Sequence, residues 1–132
     1  KAIKHRSRFK EEECRSNVSS RTANGLSHVL VHNGIAYVTG QVPADRSQDV
    51  AGRTAQVLSR IDELLEKAGT DKSKILFAQV WLKHVAADFA AMNTVWEDWV
   101  PEDALPARAT VEANLAAENI LVEIAVRAAV EA

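Results

Sequence analysis

The chain alternates between short apolar runs and longer stretches in which apolar residues recur every three or four positions. Near its start, apolar runs at 26–32 and 35–39 lie on either side of Asn33-Gly34. Asn-Gly between such runs is typical of a two-residue hairpin, because both turn residues adopt a positive φ. We therefore predict two antiparallel strands, the second ended by Gly40 and Pro43.

Residues 49–68 follow the period of a helix with one buried stripe. The stripe consists of Val50, Thr54, Val57, Leu58, Ile61, Leu64, Leu65 and Ala68. Asp45, Ser47 or Asp49 can cap the start of this helix with a side-chain oxygen. Gly69 suits the left-handed position that often follows a helix.

The rest of the chain is predicted to hold three strands and one more helix. Residues 74–82 are almost all apolar, which favours a central strand covered on at least one face. A second amphipathic helix is expected to start at Asp88 and to stop at Pro101. Strands at 108–114 and 120–129 follow, joined by a short loop. If these two strands pair, Val111 lies opposite Glu123, and Arg108 lies about 10 Å farther along.

The element order β-β-α-β-α-β-β indicates an α+β domain. Two helices can cover only one face of such a sheet. Along 120–129 the two faces differ: Ile120, Val122, Ile124, Val126 and Ala128 share one, and Leu121, Glu123, Ala125 and Arg127 share the other. The second face mixes polar and apolar groups, which suits a surface buried between subunits. We therefore expect the chain to associate with further copies.

Composition limits the function classes. The chain has 132 residues, 47% hydrophobic and 26% charged, as expected for one globular domain. No apolar run approaches the roughly 18–20 residues that span a bilayer, so we expect no membrane partner. Cys14 is the single cysteine, which excludes a disulfide scaffold and fits a cytoplasmic setting.

Charge is unevenly distributed along the chain. Residues 1–22 carry seven Lys or Arg and three Glu, a local charge of +4, whereas the whole chain carries −2. Residues 1–22 are interpreted as a basic N-terminal arm and 23–132 as the folded domain. The arm could contact RNA or an acidic partner, or could be a solvated tail, and we favour the tail. Because the domain itself is acidic, we do not expect nucleic acid as its partner.

Several side chains that often carry chemistry are interpreted as structural. His28, His32 and His84 do not have a convincing metal-ligand spacing, because the first two lie in a predicted strand. The glycines form no phosphate-binding loop. The tryptophans, Trp81, Trp96 and Trp99, are expected to pack in the core or at an interface.

Four segments carry a resemblance to a known family. They are Val38-Thr39-Gly40-Gln41-Val42-Pro43, Asp88-Phe89-Ala90-Ala91-Met92-Asn93, Leu105-Pro106-Ala107-Arg108-Ala109-Thr110-Val111-Glu112 and Val122-Glu123-Ile124-Ala125. In this order they resemble the RidA/YjgF (reactive intermediate deaminase, endoribonuclease L-PSP-like) family over residues 26–130. Residues 26–34 and the tryptophan-rich helix look more like a divergent branch of that family.

The resemblance implies a fold, an assembly and an activity. The fold is chorismate-mutase-like, with a mixed β-sheet and both helices on one face. The assembly is a homotrimer with clefts between neighbouring subunits. The activity is hydrolytic deamination of reactive enamines and imines, such as 2-imino acids, to 2-oxo acids and ammonia. No metal and no organic cofactor are implied.

The resemblance also assigns roles to residues of this chain. Arg108 matches the arginine that holds the substrate carboxylate, and its planar fork of donors suits that group. Glu123 matches the carboxylate that positions or activates water, and its neighbours Val122 and Ile124 could raise its pKa toward neutrality. Thr39 and Gly40 match pocket-lining positions.

Two positions depart from the family pattern. Thr110, a further substrate-binding candidate, stands where many members have Cys, and Leu26 stands where the best-known branch has Tyr. These departures motivate an alternative, a non-catalytic trimeric protein that binds or senses small carboxylates. RNA binding or cleavage is a third hypothesis, supported locally only by the basic arm.

Overall fold

The computed structural model describes residues 25–131, so the predicted arm, 1–22, lies outside the described residues. Seven elements follow in the predicted order: strands β1 (Val29–His32) and β2 (Ile35–Gln41), helix α1 (Val50–Lys67), strand β3 (Ile75–Leu82), helix α2 (Val85–Trp99), and strands β4 (Ala107–Glu112) and β5 (Val122–Ala129). The strands form one mixed sheet in the order β1-β2-β5-β3-β4. Among residues 25–131, no helix has the length and apolar content needed to cross a membrane.

The first hairpin has the turn that its sequence predicts. Asn33 and Gly34 have φ values of 51° and 75°, and β1 pairs antiparallel with β2 so that His32 lies opposite Ile35. Asparagine and glycine tolerate this backbone better than other residues. The prediction of a hairpin is confirmed, although β1 starts three residues later than expected.

Helix α1 has both predicted end signals. The Asp49 side chain accepts a hydrogen bond of 2.9 Å from the backbone N–H of Gly52, which satisfies one of the free donors of the first turn. At the other end Gly69 has a φ of 82°. The predicted stripe faces the core, where Val57, Leu58, Ile61, Leu64 and Leu65 are almost fully buried.

Helix α2 starts three residues earlier than predicted. A side chain from β4 explains the difference, because Glu112 Oε1 accepts a hydrogen bond of 2.9 Å from the backbone N–H of Val85. This contact satisfies a free donor of the first helical turn and adds a negative charge near the positive end of the helix dipole. The cap comes from a residue 27 positions away, so the local sequence does not show it.

The expected pairing of the last two strands is wrong. Strand β4 pairs in parallel with β3, and β5 lies between β2 and β3, antiparallel to both. Parallel neighbours need a crossover connection, and α2 provides it between β3 and β4. The central position also buries one whole side of β5, since Val122, Ile124 and Val126 are at most 2% exposed. The loop of residues 113–121 is long enough to connect β4 to β5 around the end of β3, which lies between these two strands.

The loop before β5 is fixed by a buried arginine of α1. Arg53 is 8% exposed and donates hydrogen bonds to the backbone carbonyls of Arg46, Gln48 and Asn119. Three backbone acceptors satisfy a guanidinium that would otherwise be costly to bury. The segment that leads into β5 is therefore held against the start of α1.

The two faces of the sheet differ as the sequence predicts. Both helices cover one face, which supplies the core strand residues such as Ala78, Val80 and Ile124. The other face is uncovered in the single chain. It contains a shallow depression of about 530 Å³, lined among others by Tyr37, Thr39, Phe77, Trp81, Ala125 and Arg127. We call this surface the open face.

Candidate active site

Glu123 lies on the open face, directly above Gly40. A Cβ built on Gly40 would overlap the Glu123 carboxylate, whose Cδ would be only 2.9 Å away. A larger residue at position 40 would therefore have to displace the end of the Glu123 side chain. The sequence analysis assigned these two residues to one pocket, and the structure brings them into contact.

A bulge in β2 produces this contact. Val38 pairs with Val126 and Gln41 pairs with Ile124, so that Thr39 and Gly40 together lie opposite the single residue Ala125. A bulge of this kind redirects the local side chains and is common beside functional sites. Thr39 lines the depression of the open face.

Burial raises the pKa of the Glu123 carboxyl, because a low-dielectric surrounding disfavours the charged form. Within residues 25–131, no hydrogen bond or ion pair to this carboxylate offsets the effect. Glu123 is therefore suited to accept a proton closer to neutral pH than an ordinary glutamate does. The pKa of Glu123 shifts in the predicted direction, but not because of Val122 and Ile124, whose side chains lie on the opposite, helix-covered face of β5.

Arg108 lies on the helix-covered face, at the edge strand β4. Its Nη1 donates a hydrogen bond of 2.7 Å to Asn93 Oδ1 on α2. The Phe89 and Trp96 rings lie near its guanidinium carbon, with centroid distances of 5.7 and 5.3 Å. Such cation–π contacts stabilise by about 0.5–2 kcal/mol each. Trp96 is buried as the sequence predicts, and it has this second contact as well.

No carboxylate in the described part of the chain forms an ion pair with Arg108. Burial lowers the pKa of its guanidinium, and the charge of Glu97 raises it by a smaller amount. Arginine nevertheless remains charged in proteins. A half-buried cation without a paired anion is energetically unfavourable, so this arrangement is typical of a binding site for an external anion.

Thr110 accompanies Arg108 on the same face of β4. The two residues pair with Val80 and Ala78 of β3, both fully buried on the helix side. Thr110 Oγ1 is buried and has no hydrogen-bond partner among residues 25–131. Buried hydroxyls are usually satisfied, so this one is available for a hydrogen bond to a further group.

The structure does not bring Arg108 and Glu123 together within one chain. Arg108 is level with Ala78 in β3, and Glu123 is level with Trp81. Two strand spacings and three residues along the strand separate their Cα atoms by about 14 Å. The side chains also point to opposite faces. The predicted route by which the two could meet, through direct pairing of their strands, is therefore wrong.

Asn93 and Phe89 are functional candidates that the sequence analysis did not single out. Both lie in the quoted segment 88–93, where they resemble an ordinary packing stripe. The contacts with Arg108 depend on β4 lying beside α2, which the segment alone does not reveal. For metal binding, residues 25–131 contain no group of three or more His, Cys, Asp or Glu side chains arranged around a common point.

Comparisons with known proteins place the chain in a family. Residues 17–130 match the family described as Endoribonuclease L-PSP. A RutC family protein of Haemophilus ducreyi is 50% identical over 107 residues, which cover 81% of this chain and 91% of the relative. The 3-aminoacrylate deaminase RutC of Acinetobacter baylyi is 35% identical over 99 residues, covering 70% and 77%.

Solved structures agree with this placement. A member of the YjgF protein family from Neisseria meningitidis is 38% identical, with a TM-score of 0.79 over 84% of this chain and 91% of that one. The match confirms the predicted α+β fold of the RidA/YjgF type. Together with the four sequence segments, these findings show that the chain belongs to the endoribonuclease L-PSP family, whose members include the YjgF and RutC proteins.

Proposed function

We propose that this protein hydrolyses reactive enamines and imines derived from amino acids to 2-oxo acids and ammonia. The observation that carries the proposal is the uncompensated charge of Arg108, beside the unpaired hydroxyl of Thr110. Among the relatives, the protein named 3-aminoacrylate deaminase supports the same reaction class. A 2-imino acid carries a planar carboxylate, which matches the bidentate geometry of a guanidinium.

The reaction needs only positioning and one proton acceptor. Water attacks C2 of the imine while Glu123 takes one of its protons and the imine nitrogen takes a proton from solvent, which gives a carbinolamine. Glu123 then returns its proton to the nitrogen, and the C2–N bond breaks with its electron pair leaving on ammonia. The remaining hydroxyl loses its proton as the 2-oxo acid forms. The raised pKa of Glu123 favours its part in this sequence, and neither a nucleophilic side chain nor a redox step is involved.

We place the reaction in a cleft between subunits of a homotrimer. Arg108 and Glu123 lie on opposite faces of one sheet, about 14 Å apart by strand geometry, so one small substrate cannot reach both in a single chain. Strand β4 is at the edge of the sheet and the open face is uncovered. A neighbouring copy placed along these surfaces could bring its Arg108 to the Glu123 of the first.

Turnover is tested by generating 2-aminoacrylate in situ and measuring the release of ammonia with and without the full chain. We expect a faster release with the wild type and none of this gain with Arg108→Ala. If the wild type accelerates none of several amino-acid-derived imines but still binds pyruvate through Arg108, a non-catalytic carboxylate-binding protein is the correct assignment.

The shared cleft is tested by mixing two inactive variants. Arg108→Ala and Glu123→Gln are unfolded together in equal amounts, refolded and assayed, with each variant refolded alone as the control. In a random mixture of cyclic trimers, one site in each mixed trimer has both residues, so about a quarter of wild-type activity should return. No recovery above the separate variants would contradict a site that takes one residue from each subunit.

RNA cleavage is less well supported. The family description names an endoribonuclease, but residues 23–132 carry a net charge of −6. Binding to a phosphate backbone depends on positive charge and weakens steeply with salt. The contacts around Arg108 instead suit one small anion.

A further inference from the structure

Three neutral side chains on one side of α2 contact the Arg108 guanidinium. Phe89, Asn93 and Trp96 follow each other at intervals of four and three residues, so they share one face of the helix. The Asn93 amide oxygen accepts a hydrogen bond of 2.7 Å, and the two rings lie within 6 Å of the guanidinium carbon. We call these three residues the α2 cradle.

The chemistry of the cradle differs from that of an ordinary arginine contact. An aspartate at position 93 would accept the same hydrogen bond and would also neutralise the cation, forming the short bidentate pair that arginine prefers. The amide oxygen orients the fork without neutralising it. Aromatic faces likewise attract a cation through their quadrupole and add no charge. The charge of Glu97 acts on Arg108, but the two side chains do not form an ion pair.

We propose that Asn93 is a positioning residue that fixes the orientation of Arg108 while leaving its full charge for the substrate carboxylate. The inference rests on the proposed function, since it takes Arg108 as the anchor for that carboxylate. It deepens the proposal by explaining why an amide, and not a carboxylate, lies beneath the anchor. The partly exposed ring of Phe89 lies beside the same guanidinium.

The decisive variant is Asn93→Asp, which changes one amide group to a carboxylate of nearly the same size. We expect its thermal stability to equal or exceed that of the wild type, because a half-buried cation gains a partner. We expect its affinity for pyruvate, measured by calorimetry on the full chain, to fall roughly 10- to 100-fold, because a charge-assisted pair must first be broken.

Thr94→Asp is the matched control. Thr94 is exposed on the adjacent position of α2, and its hydroxyl donates only to the carbonyl of Ala90. The variant adds the same charge to the same helix without reaching the Arg108 fork, so pyruvate affinity should stay within about threefold, the size of a screened surface interaction. Equal losses in the two aspartate variants would overturn the proposal, because they would indicate a general charge effect.

A second variant keeps the test independent of how Asn93→Asp folds. Asn93→Ala keeps the charge of Arg108 but removes its orienting acceptor, so affinity should fall about fivefold, as expected for one hydrogen bond. Wild-type affinity in both Asn93 variants would overturn the inference and leave the proposed function standing. A wild type that binds no pyruvate or other 2-oxo acid would instead overturn the carboxylate anchor, and the inference with it.

Discussion

Arg108 and Glu123 lie on opposite faces of one sheet and have different kinds of neighbours. Arg108 is held by a hydrogen bond and two aromatic rings on the covered face. Glu123 lies on the open face, where the missing side chain of Gly40 leaves room for it and no described group pairs with it. The Arg108 guanidinium is thus held by specific contacts, whereas the Glu123 carboxylate is only given room by Gly40. The comparison implies that the two halves of the site can be damaged separately.

The largest expected effects separate binding from turnover. Arg108→Ala should lower pyruvate affinity at least about 100-fold, as expected when a charged hydrogen-bonding partner is removed. Glu123→Gln should leave this affinity within a few-fold of the wild type and lower kcat by roughly 10²–10⁴-fold, the usual contribution of a general base. Calorimetry and imine turnover on the same preparations check the difference. Equal loss of affinity in both variants would show that the two halves are not separable.

Gly40→Ala should damage the open-face half alone. The added Cβ would displace the Glu123 carboxylate, so kcat should fall at least about tenfold, since small misplacements of a catalytic group have large effects. Pyruvate affinity should be nearly unchanged. Gly69→Ala is the control. It places an alanine at a φ of 82°, which strains the backbone, but it does so after the C-terminal end of α1 and not beside Glu123. It should lower the free energy of unfolding by about 1 kcal/mol without changing kcat.

The pH dependence should report the burial of Glu123. Because burial raises the pKa of this carboxyl, kcat should decrease as the pH falls through a value above the ordinary glutamate pKa of about 4.3. The acid limb is measured from initial rates across a buffer series, corrected for uncatalysed imine hydrolysis. A limb at the ordinary value would show that Glu123 is as well solvated as a surface carboxylate.

The same pKa predicts a small effect on stability. Between the unfolded and folded pKa values of Glu123 the folded protein binds more protons, so its stability decreases as the pH rises. Glu123→Gln should therefore be more stable than the wild type at pH 7, by less than about 1 kcal/mol because the carboxylate is still partly solvated. The difference should disappear below the ordinary glutamate pKa. Thermal unfolding at several pH values measures it.

The smallest site effect is expected from the cap of α2. Glu112→Ala removes the acceptor for Val85 and should lower the free energy of unfolding by about 1 kcal/mol, a typical value for a helix cap. Because the α2 cradle lies farther along the helix, pyruvate affinity should change less than twofold. Urea unfolding with Glu102→Ala as the exposed control checks the first value. A large loss of affinity would show that the cradle depends on the helix start.

Local signals determined how far the sequence could predict the fold. The hairpin turn at Asn33-Gly34 and both ends of α1 depend on residues within a few positions of each other, and these predictions are confirmed. The start of α2 and the neighbours of β4 depend on contacts between distant segments. A short loop between two strands favours a hairpin, and nothing in the loop showed that β3 would lie between them.

The family resemblance proposes the site residues one by one but does not give their arrangement. The assignment of Glu123 and Gly40 to one pocket followed from the family resemblance, and the direction of the Glu123 pKa shift followed from its expected partial burial. The cradle around Arg108 did not, because Phe89, Asn93 and Trp96 have the spacing of any packed helix face. Whether Arg108 and Glu123 meet across subunits stays a prediction.

The central position of β5 has a consequence for synthesis in the cell. This strand follows all the others along the chain, yet it joins β1 and β2 to β3 and β4. A ribosome therefore exposes two half-sheets whose inner edges stay unpaired until β5 has left the exit tunnel. Translation takes seconds over such a length. During that interval the nascent chain presents strand edges that other chains could join, so chaperone dependence should be greatest before β5 has emerged.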